Sequence, residues 1–135
     1  MLKLISGSIA ALIAAMATAS SVSLAMAQDG ERLPVQGPLV LRTLLVAAID
    51  SPTGEARGQL TGEVANLMSE HFRTTGPILI DVSTERRYSQ PGCSRLKVRF
   101  SQDGVVLPGE SAPQNKVVDI GLNYCRDGSP PKSLS

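Results

Sequence analysis

Between Pro38 and Asp50 the apolar residues recur with a helical period. Leu41, Leu44, Leu45, Ala48 and Ile49 share one face at the i, i+3, i+4, i+7, i+8 spacing, and Arg42, Thr43 and Asp50 lie opposite. Pro38 suits the first helical position and Pro52 stops the run. Helix is therefore the preferred reading; a buried strand over LVLRTLLVAAI is the alternative. A second helix is expected from about Thr61, as N-cap, with Glu63 in the first turn and Gly76-Pro77 beyond its end. Its apolar face is Leu60, Val64, Leu67, Met68 and His71, flanked by Phe72. Residues 28–37 read as a flexible lead-in, and Ser51–Gln59, with Pro52, Gly54 and Gly58, as a linker.

From Ile78 onward the period changes to two. Ile78, Ile80 and Val82 alternate with Leu79, Asp81 and Ser83, predicting a strand that runs to about Tyr88. A turn at Ser89-Gln90-Pro91-Gly92 separates it from a second strand, where Leu96, Val98 and Phe100 alternate with Arg95, Lys97 and Arg99. A long loop opens at Asp103-Gly104. Val118, Ile120, Leu122 and Tyr124 then mark a third strand. Cys93 has the parity of Arg95, Lys97 and Arg99, and Cys125 that of Asp119 and Asn123, so both point to the non-core side. Antiparallel pairing sets the start of the second strand beside the end of the third, within bridging range. The predicted fold is α+β: two amphipathic helices packed on a three-stranded antiparallel β-meander, with one disulfide, Cys93–Cys125. Its core lies where the helices cover the Ile78/Val98/Ile120 face. The domain spans residues 38–126, followed by an exposed tail at 127–135 containing Pro130-Pro131.

The first 27 residues carry a different pattern. Lys3 precedes an uncharged apolar or small run from Leu4 to about Ala19, and Ala25-Met26-Ala27 fits the small-x-small rule of signal peptidase. The expectation is a signal peptide cleaved after Ala27, a periplasmic product, and no stable membrane span after cleavage. Of the 13 basic residues only Lys3 lies in this leader, so the chain from Gln28 onward balances 12 basic against 12 acidic residues. Neutrality argues against nucleic acid or a charged lipid surface as the partner. Two cysteines in an exported chain pair most simply with each other.

Chemistry-bearing motifs are sparse. The single histidine, His71, lies on an apolar helical stripe, where packing explains it better than catalysis; with no second histidine and both cysteines paired, a zinc site lacks ligands. No G-x-S-x-G stands at a strand-to-helix junction, and the glycines at 54–62 lack the Lys-Ser/Thr end of a phosphate-binding loop. No catalytic residue, metal or cofactor is assigned. The one local charge concentration is Arg95, Lys97 and Arg99, with Arg86 and Arg87 nearby. These five are the candidate partner surface; the competing reading is a solvated strand face with Asp81, Glu85 and Asp119 as counter-charges.

The segments RRYSQPGCSRLKVRF and GLNYCRDGSPP resemble small exported proteins encoded in bacterial conjugative-transfer gene clusters. The resemblance covers roughly residues 78–131 and carries no catalytic motif. It implies an accessory envelope protein associated with a type IV secretion apparatus. The functional expectation is a non-enzymatic accessory or interaction protein whose partner is another envelope protein. The alternative is an exported inhibitor or immunity protein that blocks an envelope enzyme.

Overall fold

Residues 31–135 are described by a computed structural model, and the signal peptide expected over residues 1–27 lies outside the described residues. The elements are β1 (Leu33–Val35), α1 (Pro38–Asp50), β2 (Glu55–Leu60), α2 (Glu63–His71), β3 (Ile78–Arg87), β4 (Cys93–Val105) and β5 (Gln114–Cys125). The class is α+β, with two helices and the Cys93–Cys125 disulfide. The sheet differs from the expected meander. It has five strands in the order β1-β2-β3-β4-β5, and β1 pairs parallel to β2 while the other pairs are antiparallel.

The two added strands fall in segments expected to be lead-in and linker. β1 contains Pro34, which an outer strand tolerates because it needs no second set of backbone bonds. β2, EARGQL, lacks alternating apolar residues because its centre is Gly58, over which α1 packs. A Cβ on Gly58 would stand 2.9 Å from Leu44 Cδ2, 3.1 Å from the Leu33 carbonyl oxygen and 3.2 Å from Val35 Cγ2. The missing side chain is what lets α1 approach. The last two expected strands also lengthen: β4 continues to Val105 past a register irregularity after Gln102, and β5 starts at Gln114, so the long loop expected from Asp103 shrinks to residues 106–113.

α1 folds as the periodicity predicts, with Pro38 in its first turn and Leu44, Leu45, Ala48 and Ile49 buried. They pack on Val35, Ile80, Val82, Leu96 and Val98, with Leu41, Phe100, Leu122 and Tyr124 at the margin. Burying each such aliphatic side chain contributes roughly 1.5–3 kcal/mol. α2 does not join this core as expected. Only Ala65 of its residues is buried, Val64 and Leu67 are 56% and 58% exposed, and His71 is exposed. Thr61 does not cap it; Gly62 holds the N-cap position and Thr61 Oγ1 is buried without a partner. The helix ends at His71, before Gly76-Pro77, and two residues on the φ of 50° at Arg73 turns the chain so that Arg73 N–H bonds the Glu70 carbonyl and Thr74 N–H the Ser69 carbonyl. Those two bonds form a Schellman cap. Without α2 above it, Ile120 is 45% exposed rather than part of the core, although Ile78 and Val98 are buried.

At the other end of the sheet Cys93 and Cys125 stand directly opposite each other, and both are buried. The tail beyond them is largely exposed but tied down. Arg42 Nη2 donates to the Asp127 carbonyl at 2.7 Å, Lys132 N–H to Gln90 Oε1 at 2.8 Å, and the Ser89 hydroxyl to the Ser135 carbonyl at 2.6 Å.

Two glycines test this packing. Gly58→Val destabilises the fold by about 1–3 kcal/mol, the usual cost of overpacking. Gly37→Ala, at an extended position with no atom within 4 Å of the new Cβ, leaves stability unchanged or slightly raised. Urea denaturation of both variants checks this; equal midpoints contradict the close approach of α1 to β2.

Candidate functional site

The sheet face away from α1 is open and charged. In register across β2, β3, β4 and β5 stand Arg57, Asp81, Arg99 and Asp119, a row of alternating sign. Arg99 grips Asp119 through Nε and Nη2 at 2.7 and 2.9 Å. Asp81 takes Arg32 at 3.1 Å and Arg57 at 3.9 Å. Arg32 also donates to the Gly58 carbonyl at 3.0 Å, anchoring the start of β1 across the sheet. The next row is Glu55, Ser83, Lys97 and Gly121, in which Lys97 stands between two small residues.

A bulge between Thr84 and Arg86 divides the remaining arginines. Arg86 faces Arg95 across the strands, and that like-charge contact is relieved in two ways. Arg95 lies 3.9 Å from Glu85 and donates to Asn123 Oδ1 at 3.2 Å. Arg86 sits over the Tyr88 ring, 5.6 Å from its centre. The next residue, Arg87, falls on the other face. It donates to the Ser51 carbonyl at 3.1 Å and the Ile49 carbonyl at 3.5 Å, closing the C-terminus of α1. The structure thus brings Arg86, Arg95, Lys97 and Arg99 together and separates Arg87 from them. Glu85 and Asp119 meet the cations Arg95 and Arg99 of β4, whereas Asp81 stands opposite Arg99 but pairs with Arg32 and Arg57. Arg57 of β2 and Arg32 just before β1 join these charges through Asp81, a placement that follows from two strands the residue pattern does not predict.

The second feature is apolar. Met68 of α2 and Phe72 at its C-cap face Phe100, Val105, Leu107 and Val118 across a groove of about 200 Å³ that Lys116 also lines. Gln102, buried beside it, donates to Ser69 Oγ at 3.1 Å and to the Gly76 carbonyl at 2.8 Å, holding α2 to the sheet. Thr74 Oγ1 adds a bond to the Asp103 carbonyl at 2.7 Å. Val64, Leu67 and Met68 extend the apolar surface along α2, and the His71 ring stands edge-on to Phe72 at 4.9 Å. The i, i+3, i+4, i+7 set read as a core face is therefore an exposed one. The apolar spacing located it but did not reveal that no described element covers it.

Among the described residues no group of three or more His, Cys, Asp or Glu side chains is placed to hold a metal ion, and no helix is long and apolar enough to cross a membrane. No protein-family model, curated protein or solved structure matches the chain.

Two exposed carboxyls titrate low. The Asp119 carboxyl is held below the usual aspartate range chiefly by its hydrogen bonds from Arg99, which is raised in turn. Asp127 is lowered by the Ser129 hydroxyl and backbone N–H that bond to it. A lowered folded-state pKa makes each contribution complete above an unfolded aspartate's pKa of about 3.9, and lost as pH falls through the folded value. Stability therefore falls as the medium is acidified below about pH 5. Urea midpoints measured against pH show a shallower fall for Asp119→Asn than for wild type; identical slopes contradict the Arg99–Asp119 pairing.

Proposed function

We propose that this chain is an exported, non-enzymatic protein of the bacterial periplasm that works by holding another envelope protein, and that the groove between α2 and the β4–β5 end of the sheet is its contact surface. The supporting observation is the unpaired apolar stripe of α2, with Val64 and Leu67 more than half exposed, running into that groove. A contiguous apolar surface rimmed by polar residues on a small domain marks a protein-binding site. The charged sheet face supports the reading differently. Arg95 and Arg99 are met by carboxylates, so Lys97 and Arg86 are the cations it offers to a partner. The resemblance of the two cysteine segments to exported conjugation proteins supplies the context, an accessory role at a type IV secretion apparatus.

A photoreactive residue placed at 67 in the exported protein forms a covalent adduct with an envelope protein in living cells. Leu67→Glu lowers recovery of that partner about tenfold or more, since burying a leucine contributes roughly 1.5–3 kcal/mol. Its melting temperature stays near wild type because the side chain is already exposed. Adduct formation from position 97 but not 67 moves the contact to the charged face, and none from either overturns the reading.

A further inference from the structure

β5 is an outer strand twelve residues long, whereas the opposite edge, β1, has three residues and a proline. Its backbone orientation is set at the disulfide end. Cys125 N–H donates to the Ser129 carbonyl and Cys125 C=O accepts from Gly128 N–H, so the Cys93/Cys125 pair exchanges no backbone bond. Antiparallel alternation then turns the N–H and C=O groups of Val117, Asp119, Gly121 and Asn123 away from β4, toward solvent. Val117, Val118 and Ile120 are exposed beside this ladder. The stretch from Lys116 to Cys125 has neither proline nor register irregularity, two of the devices that blunt a strand edge; of its two charges, Lys116 stands at the far end and Asp119 is paired with Arg99.

We propose that β5 pairs antiparallel with β5 of a second copy of this chain, about a two-fold axis through Ile120, to form a continuous ten-stranded sheet. Charge selects this register. Gly121 lies under the Arg95 guanidinium, since a Cβ there would stand 2.9 Å from Arg95 Cζ. With the axis at Ile120, Asp119 of the second copy lies opposite Gly121 and beside Arg95, while Val118 meets Leu122 and Ile120 meets itself. An axis at Asp119 sets two carboxylates face to face, and one at Gly121 brings two Arg95 side chains together. An axis at Val118 places Lys116 against Ile120 and Asp119 against Val117. Registers further toward the C-terminus are blocked by the turn at Arg126–Ser129, which wraps back onto Cys125. Val118 borders both the α2 groove and this pairing, whereas the axis residue Ile120 lies outside the groove, so crosslinks at positions 67 and 120 read the two surfaces separately.

Sedimentation of the exported protein gives twice the chain mass. Ile120→Cys forms a covalent dimer on oxidation, because the two Cα atoms of a non-hydrogen-bonded pair lie about 4.5 Å apart. Val118→Cys does not, since its counterpart is four residues along, about 13 Å away. Val117→Pro removes an outward N–H, so the protein becomes monomeric with its circular dichroism spectrum kept. A wild-type monomer at all accessible concentrations overturns the proposal. So does a dimer that crosslinks through position 118 but not 120, or one that survives Val117→Pro. Adduct formation from position 67 is unaffected by any of these outcomes, which keeps the two readings separable.

Discussion

The pairing of β4 with β5, fastened by Cys93–Cys125 at the end where the tail turns back, is the constraint on which the rest of the molecule depends. α1 supplies the core, but at β5 it reaches the Leu122–Tyr124 end and leaves Val118 and Ile120 exposed. The first half of β5 is thus held by its ladder to β4 and by the Arg99–Asp119 pair, with little apolar burial to add. Closing a loop with a sequence separation of 32 lowers the entropy of the unfolded chain enough to stabilise the fold by about 3–4 kcal/mol. In a domain this small that is a large share of the usual total. The β4–β5 register, which the bond clamps at one end, sets which residues of β5 turn their backbone inward and which outward, and β5 presents an edge because it is the last strand of the sheet.

Much of this was legible in the residue pattern. The α1 face from Leu41 to Ile49 is a strong 3.6-residue signal because one side of the helix is fully buried. The alternation in β3, β4 and β5 is clear because one face of the sheet meets water. The cysteine parity pointed to the partner strands, since a bond between directly opposite residues needs both on the same face. β1 and β2 were hidden for a physical reason: Pro34 and Gly58 are ordinarily strand breakers, and here each is tolerated or required by a neighbour. Pro34 lies on an outer edge and Gly58 lies under Leu44. The position of α2 was hidden because periodicity reports an apolar face without reporting what covers it.

The charged and apolar surfaces divide the molecule's uncovered area between them. On the open sheet face, cations and carboxylates alternate across four strands, so most of the basic stripe is neutralised within the chain. The bulge at Glu85 belongs to this arrangement. It places a carboxylate near Arg95, opposite Arg86, and turns Arg87 over to close α1. On the other face Val64 and Leu67 of α2 and Val118 and Ile120 of β5 are about half exposed among the described residues, and surfaces of that kind are where small domains meet other proteins.

Thiol content and stability measured on one preparation test the strand pairing most directly. Protein recovered under oxidising conditions should show no titratable thiol in the native state or after unfolding without reductant. Replacing both Cys93 and Cys125 with serine should lower the unfolding free energy by about 2–5 kcal/mol, the usual loss for a small secreted fold. Two titratable thiols, or a double variant as stable as the parent, would contradict the β4–β5 closure on which this account of the molecule rests.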